Sequence, residues 1–246
     1  SAYDRTVASI MNFLLFLIFG ILPSIVWLAF YLRRDKHPEP NRMVLKIFLL
    51  GVLSTIPAIF LELGIRNILG IDVPSPSLAA TIIYIFIGVA FVEEFVKYAV
   101  VRWQIYSSPH FDELIDLPLY MIIAALGFAA LENILILSGL PIPVEDYIVE
   151  LSLLRFVGST FLHALVSGIL GYFLVLSLLY PTRKFLYILT GFFVASFLHG
   201  LFNFSIIKLE LPGQMIIPGI IIFGMAIFLS MALTKLQRIK TSVKAQ

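Results

Sequence analysis

The chain has 246 residues, 60% of them hydrophobic and 13% charged, with a mean hydropathy of +1.02; so much apolar surface cannot be hidden in one soluble core, and the expected solvent is lipid. A balance of 17 basic against 15 acidic residues, with no basic stripe interleaved with aromatics, argues against a nucleic-acid partner. The absence of cysteine excludes disulfides, thiolate zinc sites and a cysteine nucleophile, so any metal would depend on His and carboxylate ligands.

Seven apolar runs are long enough to cross a hydrocarbon core of about 30 Å. They are Val7 to Leu32, Met43 to Gly64, Ser77 to Val101, Leu117 to Leu137, Arg155 to Leu179, Phe185 to Ile207 and Gln214 to Leu236. The first is too long for a signal peptide and lacks the small-residue cleavage pattern, so a retained span is expected. Proline-rich breaks such as Pro38-Glu39-Pro40 and Pro141-Ile142-Pro143 separate the runs, and none leaves room for a soluble domain. The predicted fold is therefore all-α: one polytopic transmembrane helical bundle over residues 1–246, in a multi-pass cell-membrane protein. Most Lys and Arg, including Arg33, Arg34, Arg42, Lys46, Arg102, Arg183, Lys184 and Lys235, fall on one side, with Arg5, Arg66, Arg155 and Lys208 opposite. The positive-inside rule then places the N-terminus outside and the C-terminus in the cytoplasm. Between Pro143 and Arg155, Glu145, Asp146 and Glu150 mark either a surface helix or an acidic solvated loop.

Polar residues inside these runs carry the chemistry. The third run holds Glu93-Glu94-Phe95-Val96-Lys97, and two carboxylates in hydrocarbon cost several kcal/mol unless compensated. Lys97 follows Glu93 by four residues and Glu94 by three, so its ammonium can reach either. Adjacent helical positions point about 100° apart, so the two glutamates should have different jobs, one facing a cavity and one held by Lys97. A buried ion pair that only fixes packing is the competing reading. The fourth run carries Glu132 and Asn133 after the small-residue stretch Gly127-Phe128-Ala129-Ala130. In the fifth, Ser159, His163, Ser167 and Gly171 recur at i,i+4, and in the sixth Ser196, His199 and Asn203 share a face. Two imidazoles, several carboxylates and an amide spread over four apolar helices form the convergent set expected of a site in a bundle. Glu62 reads as a helix-end residue in reach of water, and His37 and His110 as solvated loop residues. Asp112, Glu113 and Asp116 precede the fourth helix, where acids meet the positive end of its dipole.

In order along the chain, these residues resemble the PrsW family of intramembrane proteases, within the wider superfamily of CAAX prenyl proteases and bacteriocin-processing membrane proteins. Glu93-Glu94-x-x-Lys97 is similar to the first motif of that family. Asp112-x-x-x-Asp116, Tyr120 and Gly127-Phe128-Ala129-x-x-x-Glu132-Asn133 resemble the second, although Leu117 stands where the pattern has Gly. His163-Ala164-Leu165-x-Ser167 and His199-Gly200-Leu201-x-Asn203 resemble the third and fourth. The motif-bearing core is about 77–207. The resemblance implies proteolysis of membrane-anchored protein or peptide substrates, such as anti-sigma factors, in a bacterial or archaeal cell membrane. Glu93 or Glu94 would be the general base on a water, with His163 and His199 positioning that water or polarising the scissile carbonyl. Asn203 would donate to the oxyanion, with Lys97, Glu132, Asn133, Ser167, Asp112 and Asp116 in support.

A metal-free glutamate mechanism is favoured, with no cofactor. The alternative is a zinc-dependent protease using His163, His199 and Glu93 or Glu94, two His and one carboxylate being an acceptable open zinc site. An ion- or proton-coupled transporter and a noncatalytic scaffold are the remaining alternatives; no internal repeat of the transporter kind is found. Counted at about 1.5 Å per residue, Glu93 lies nearer the cytoplasmic end of its helix, and His199 and Asn203 nearer the outer end of theirs. The halves meet only if the third helix begins outside the hydrocarbon or the spans tilt steeply.

Overall fold

A computed structural model describes residues 2–34, 37–71, 77–106, 108–139 and 148–239, with backbone alone for residues 2–12. Its helices are α1 (Ala2–Leu32), α2 (Asn41–Leu69), α3 (Leu78–Gln104), α4 (Asp116–Ser138), α5 (Ile148–Leu179), α6 (Lys184–Lys208) and α7 (Gly213–Arg238). All seven are long and apolar enough to cross a membrane, and the described residues contain no strand. In lipid every backbone polar group must be satisfied within the segment, which is why long apolar runs resolve as helices.

The bundle is built around α4, every residue of which from Asp116 to Ala130 is buried, and around α5, buried without interruption from Leu162 to Gly171. The other helices turn large apolar side chains outward, among them Phe60, Phe185, Phe193, Ile220 and Phe223, as lipid-facing surfaces do. Glycine sets the closeness of the central contacts. A Cβ on Gly127 would collide with the backbone carbonyl of Phe48 in α2, and one on Gly51 with that of Ala124 in α4. Across this seam Thr55 donates its hydroxyl to the Phe128 carbonyl at 3.3 Å. Interfaces between membrane helices depend on such small residues because lipid supplies no hydrophobic drive between them. Gly127→Ala is therefore expected to cost about 1–3 kcal/mol, since a backbone carbonyl cannot yield as a side chain can. Gly64→Ala, where a Cβ meets nothing within 4 Å, is expected to be neutral or stabilising. Thermal unfolding of the two variants in detergent checks the contrast.

Two helices depart from α geometry. Residues Tyr84–Phe91 of α3 and Phe156–Thr160 of α5 are π-helical; such segments frequently accompany functional sites. The first ends two residues before Glu93, the second three before His163. Trp27 of α1 supports the second segment by donating its indole N–H to the Phe156 carbonyl at 2.8 Å. Its ring also stacks on Phe161 with centroids 3.7 Å apart.

The weakly apolar stretch before Arg155 is neither a surface helix nor a loop where it is described. Ile148–Arg155 forms the opening turns of α5, continuous with the span, with Glu150 exposed on it. Glu145 and Asp146 lie outside the described residues.

Candidate active site

The three groups that α3 contributes lie against α5 and α6 in the interior of the bundle. Lys97 is fully buried, and its ammonium reaches Glu94 Oε1 at 2.8 Å, Glu93 Oε2 at 3.2 Å and His163 Nδ1 at 2.8 Å. An ammonium has three donors, and these contacts occupy all of them. Its Nζ also sits 4.3 Å from the centroid of the Phe128 ring, a cation–π contact strengthened by desolvation.

The two glutamates differ in their partners, but not by the expected division, because Lys97 holds both. Glu94, fully buried, accepts from Lys97, from the Ser167 hydroxyl at 2.6 Å, and from His199 Nδ1 at 3.2 Å. Glu93 has Lys97 as its one hydrogen-bond donor among the described residues. Its Oε2 lies 3.7 Å from His163 Nδ1 and 3.9 Å from His199 Nε2, outside hydrogen-bond distance. One carboxylate thus accepts from three donors, and the other from one, with more free acceptor capacity beside two imidazoles. Those rings meet edge to face with centroids 5.0 Å apart.

Carboxylates only accept, so the nitrogens facing them are the donors. His163 donates from Nε2 to Glu132 Oε2 at 3.1 Å, which leaves Nδ1 to accept from Lys97. His199 donates from Nδ1 to Glu94, and its Nε2 lies 3.9 Å from Glu93 Oε2.

Glu132 and Asn133 form one wall, joined by a residue outside the sequence-derived set. Arg155 donates through its terminal nitrogen to Glu132 Oε2 at 2.7 Å and through Nε to Asn133 Oδ1. Asn133 in turn donates to the Gly20 carbonyl at 3.1 Å and to Thr160 Oγ1 at 3.0 Å, tying α1 and the π segment of α5 to α4. Arg155 continues the Ser159–His163–Ser167 stripe backward by four residues, and that spacing was its signal; the positive-inside count had assigned it to the membrane surface. Glu62 also differs from expectation. It is half-buried seven residues before the end of α2, within electrostatic reach of Glu93, Glu132 and Lys97.

Asn203 lies one turn beyond His199 and is half-buried, and none of the cluster's hydrogen bonds reaches it. Asp112 and Asp116 are not brought to the cluster. Glu132 stands 16 positions further along α4 than Asp116, about 24 Å at 1.5 Å per residue. Asp116 accepts instead from the backbone N–H groups of Asp112 and Glu113, so it organises the loop ahead of its helix. Nearby, Tyr120 donates to Glu39 at 2.6 Å. The loop residues His37 and His110 are exposed as expected.

The depth mismatch between α3 and α6 closes. Glu94 and His199 are hydrogen-bonded, and Gly200 allows α6 to lie directly on Phe86 of the α3 π segment. Hydrogen bonds closing over five residues widen the turn and shorten the rise, which draws Glu93 and Glu94 toward the Leu78 end of α3.

Carboxylates, imidazoles and a buried ammonium from four apolar helices thus meet in one cluster. A sequence model described as the PrsW family intramembrane metalloprotease matches residues 39–233. The chain is 33% identical to Protease PrsW of Geobacillus kaustophilus (strain HTA426) over 194 residues, covering 78% of this chain and 79% of that relative. Protease PrsW of Bacillus subtilis (strain 168) is 31% identical over 195 residues, 78% of this chain and 82% of the relative. Protease PrsW of Oceanobacillus iheyensis (strain HTE831) is 31% identical over 187 residues, 75% and 80% respectively. No solved structure matches the chain. The protein belongs to the PrsW family and is a multi-pass intramembrane protease, a peptide hydrolase.

Proposed function

We propose that the protein cleaves membrane-anchored protein or peptide substrates with a water activated by Glu93, without a metal. The observation that carries this reading is the asymmetry of the pair: Glu94 accepts from three donors, Lys97, Ser167 and His199, whereas Glu93 accepts from Lys97 alone and keeps free lone pairs beside both imidazoles. A water held between Glu93 and His199 Nε2 offers one hydrogen to each and turns its own lone pair toward a scissile carbonyl. Glu93 takes the proton as the water attacks and passes it to the departing amine. Asn203, free of other bonds in the cluster, donates to the oxyanion. Glu94 and Lys97 orient this set, and Glu132 holds His163.

Side-chain exposure rises from none at Glu94 and Lys97, through 6% at Glu93, to 27% at Glu132. Water and an unwound substrate backbone therefore approach past Glu132. An anti-sigma factor fits the substrate class through the family resemblance.

A zinc reading has two points in its favour, the description of the matching family as a metalloprotease and a suitable donor set. Glu93, His163 and His199 offer ligand atoms within 4.8 Å of one another, the two-His, one-carboxylate donor set of an open zinc site. A zinc ion held by those three would act as a Lewis acid and generate hydroxide. Against it, the Lys97 ammonium is hydrogen-bonded to His163 Nδ1 and to Glu93 Oε2, so a cation already bridges two of the three ligands. A divalent ion would have to displace it.

The test is cleavage of a single-span reporter by purified protein in liposomes. Wild type is expected to release a defined product, and Asn203→Ala to lower kcat by about 10²-fold or more, as loss of an oxyanion donor does. Ion flux through the same liposomes without any cleavage would establish the transporter reading instead.

A further inference from the structure

We propose that Arg155 is a positioning residue of the hydrolytic site, acting on His163 through Glu132; the inference rests on the reading of this cluster as the protease site. One oxygen carries the connection. Glu132 Oε2 accepts from Arg155 at 2.7 Å and from His163 Nε2 at 3.1 Å, so the guanidinium and the imidazole converge on a single atom. The guanidinium fork also holds the neighbouring Asn133 and reaches Ser159 Oγ at 3.3 Å. Two consecutive residues of α4 are thus gripped by one side chain of α5, in the planar, two-pronged manner that a lysine cannot copy.

The place of Arg155 in its helix gives this grip its purpose. It is the last α-helical residue before the π segment Phe156–Thr160, and His163 follows that segment. An extra residue per turn rotates everything after it, so the aim of His163 depends on both ends of the insertion being held. Arg155 fixes the near end to α4, and Trp27 and Asn133 bond the segment itself at Phe156 and Thr160. At the far end His163 spans Glu132 and Lys97, which aligns its ring beside Glu93. A residue that merely pinned α4 to α5 would not need to share its acceptor oxygen with the imidazole.

Purified wild type, Arg155→Gln, Arg155→Lys and Arg155→Ala are compared on a single-span reporter in liposomes, with thermal unfolding recorded in parallel. Arg155→Gln is expected to lose about 10–100-fold in kcat with KM nearly unchanged, the range typical when a supporting hydrogen-bond partner is removed. Arg155→Lys is expected to recover only part of this loss, and guanidinium added to Arg155→Ala to raise its kcat. Unchanged kcat in Arg155→Gln, with wild type active, overturns the proposal. So does a loss that guanidinium fails to relieve and that follows lowered thermal stability in all three variants, which assigns Arg155 to packing alone. Absence of cleavage by wild type refutes the protease assignment of the cluster instead.

Discussion

Glu93→Gln is expected to lower kcat on a single-span reporter by about 10²–10⁴-fold, the contribution of a general base, with little change in thermal stability. The amide is nearly isosteric, and its oxygen can keep the single hydrogen bond that Glu93 accepts, that from Lys97. Glu94→Gln should behave differently. Its three donors, Lys97, Ser167 and His199, would meet an amide able to accept on one atom only. Activity and stability are expected to fall together, because a buried donor left unmatched costs about 1–3 kcal/mol. Parallel kinetics and unfolding midpoints for the two variants decide which glutamate is the base. Equal loss of stability in both would remove the distinction on which the mechanism stands.

Removing the ammonium should have the largest structural effect. Lys97→Met leaves Glu93, Glu94 and His163 without their shared partner in the interior of the bundle, and breaking a buried charge pair from one side typically costs about 3–5 kcal/mol. Much of that cost is the stranded charge, so a compensating change should return part of it. The double variant Lys97→Met with Glu94→Gln is expected to be more stable than the sum of the two single changes implies, a coupling that a double-mutant cycle measures. Strict additivity would mean that Lys97 and Glu94 do not stabilise one another.

Seven helices were legible in the sequence because a span must satisfy its own backbone, and apolar length alone announces it. Lys97 between two glutamates was legible for a similar reason: spacings of three and four on one helix fix who can touch whom. That Ser167 shares a face with His163 was legible from the polar stripe on α5, but its bond to Glu94 was not. What crossed between helices was harder to see. Nothing in Tyr84–Phe91 or Phe156–Thr160 signals a π-helix, yet these segments bring α3 to the depth of α6 and aim His163. Arg155 was read by a rule that assigns cations to membrane surfaces, a rule that ignores whether an anion awaits inside. Glu62 was misplaced because α2 continues to Leu69, past the point where apolar character fades. The Asp112 and Asp116 motif is contiguous in order but lies at the opposite end of α4, where sequence order carries no information on distance.

The central claim is that Glu93 activates water in a cluster whose resident cation is Lys97. Its most direct test is the rate of reporter cleavage by purified protein in liposomes after exhaustive chelation, with the metal content per chain determined on the same sample. The account predicts an undiminished rate at metal contents far below one ion per chain. Loss of cleavage on chelation, restored by stoichiometric zinc and not by magnesium, would contradict it and assign Glu93, His163 and His199 to a metal.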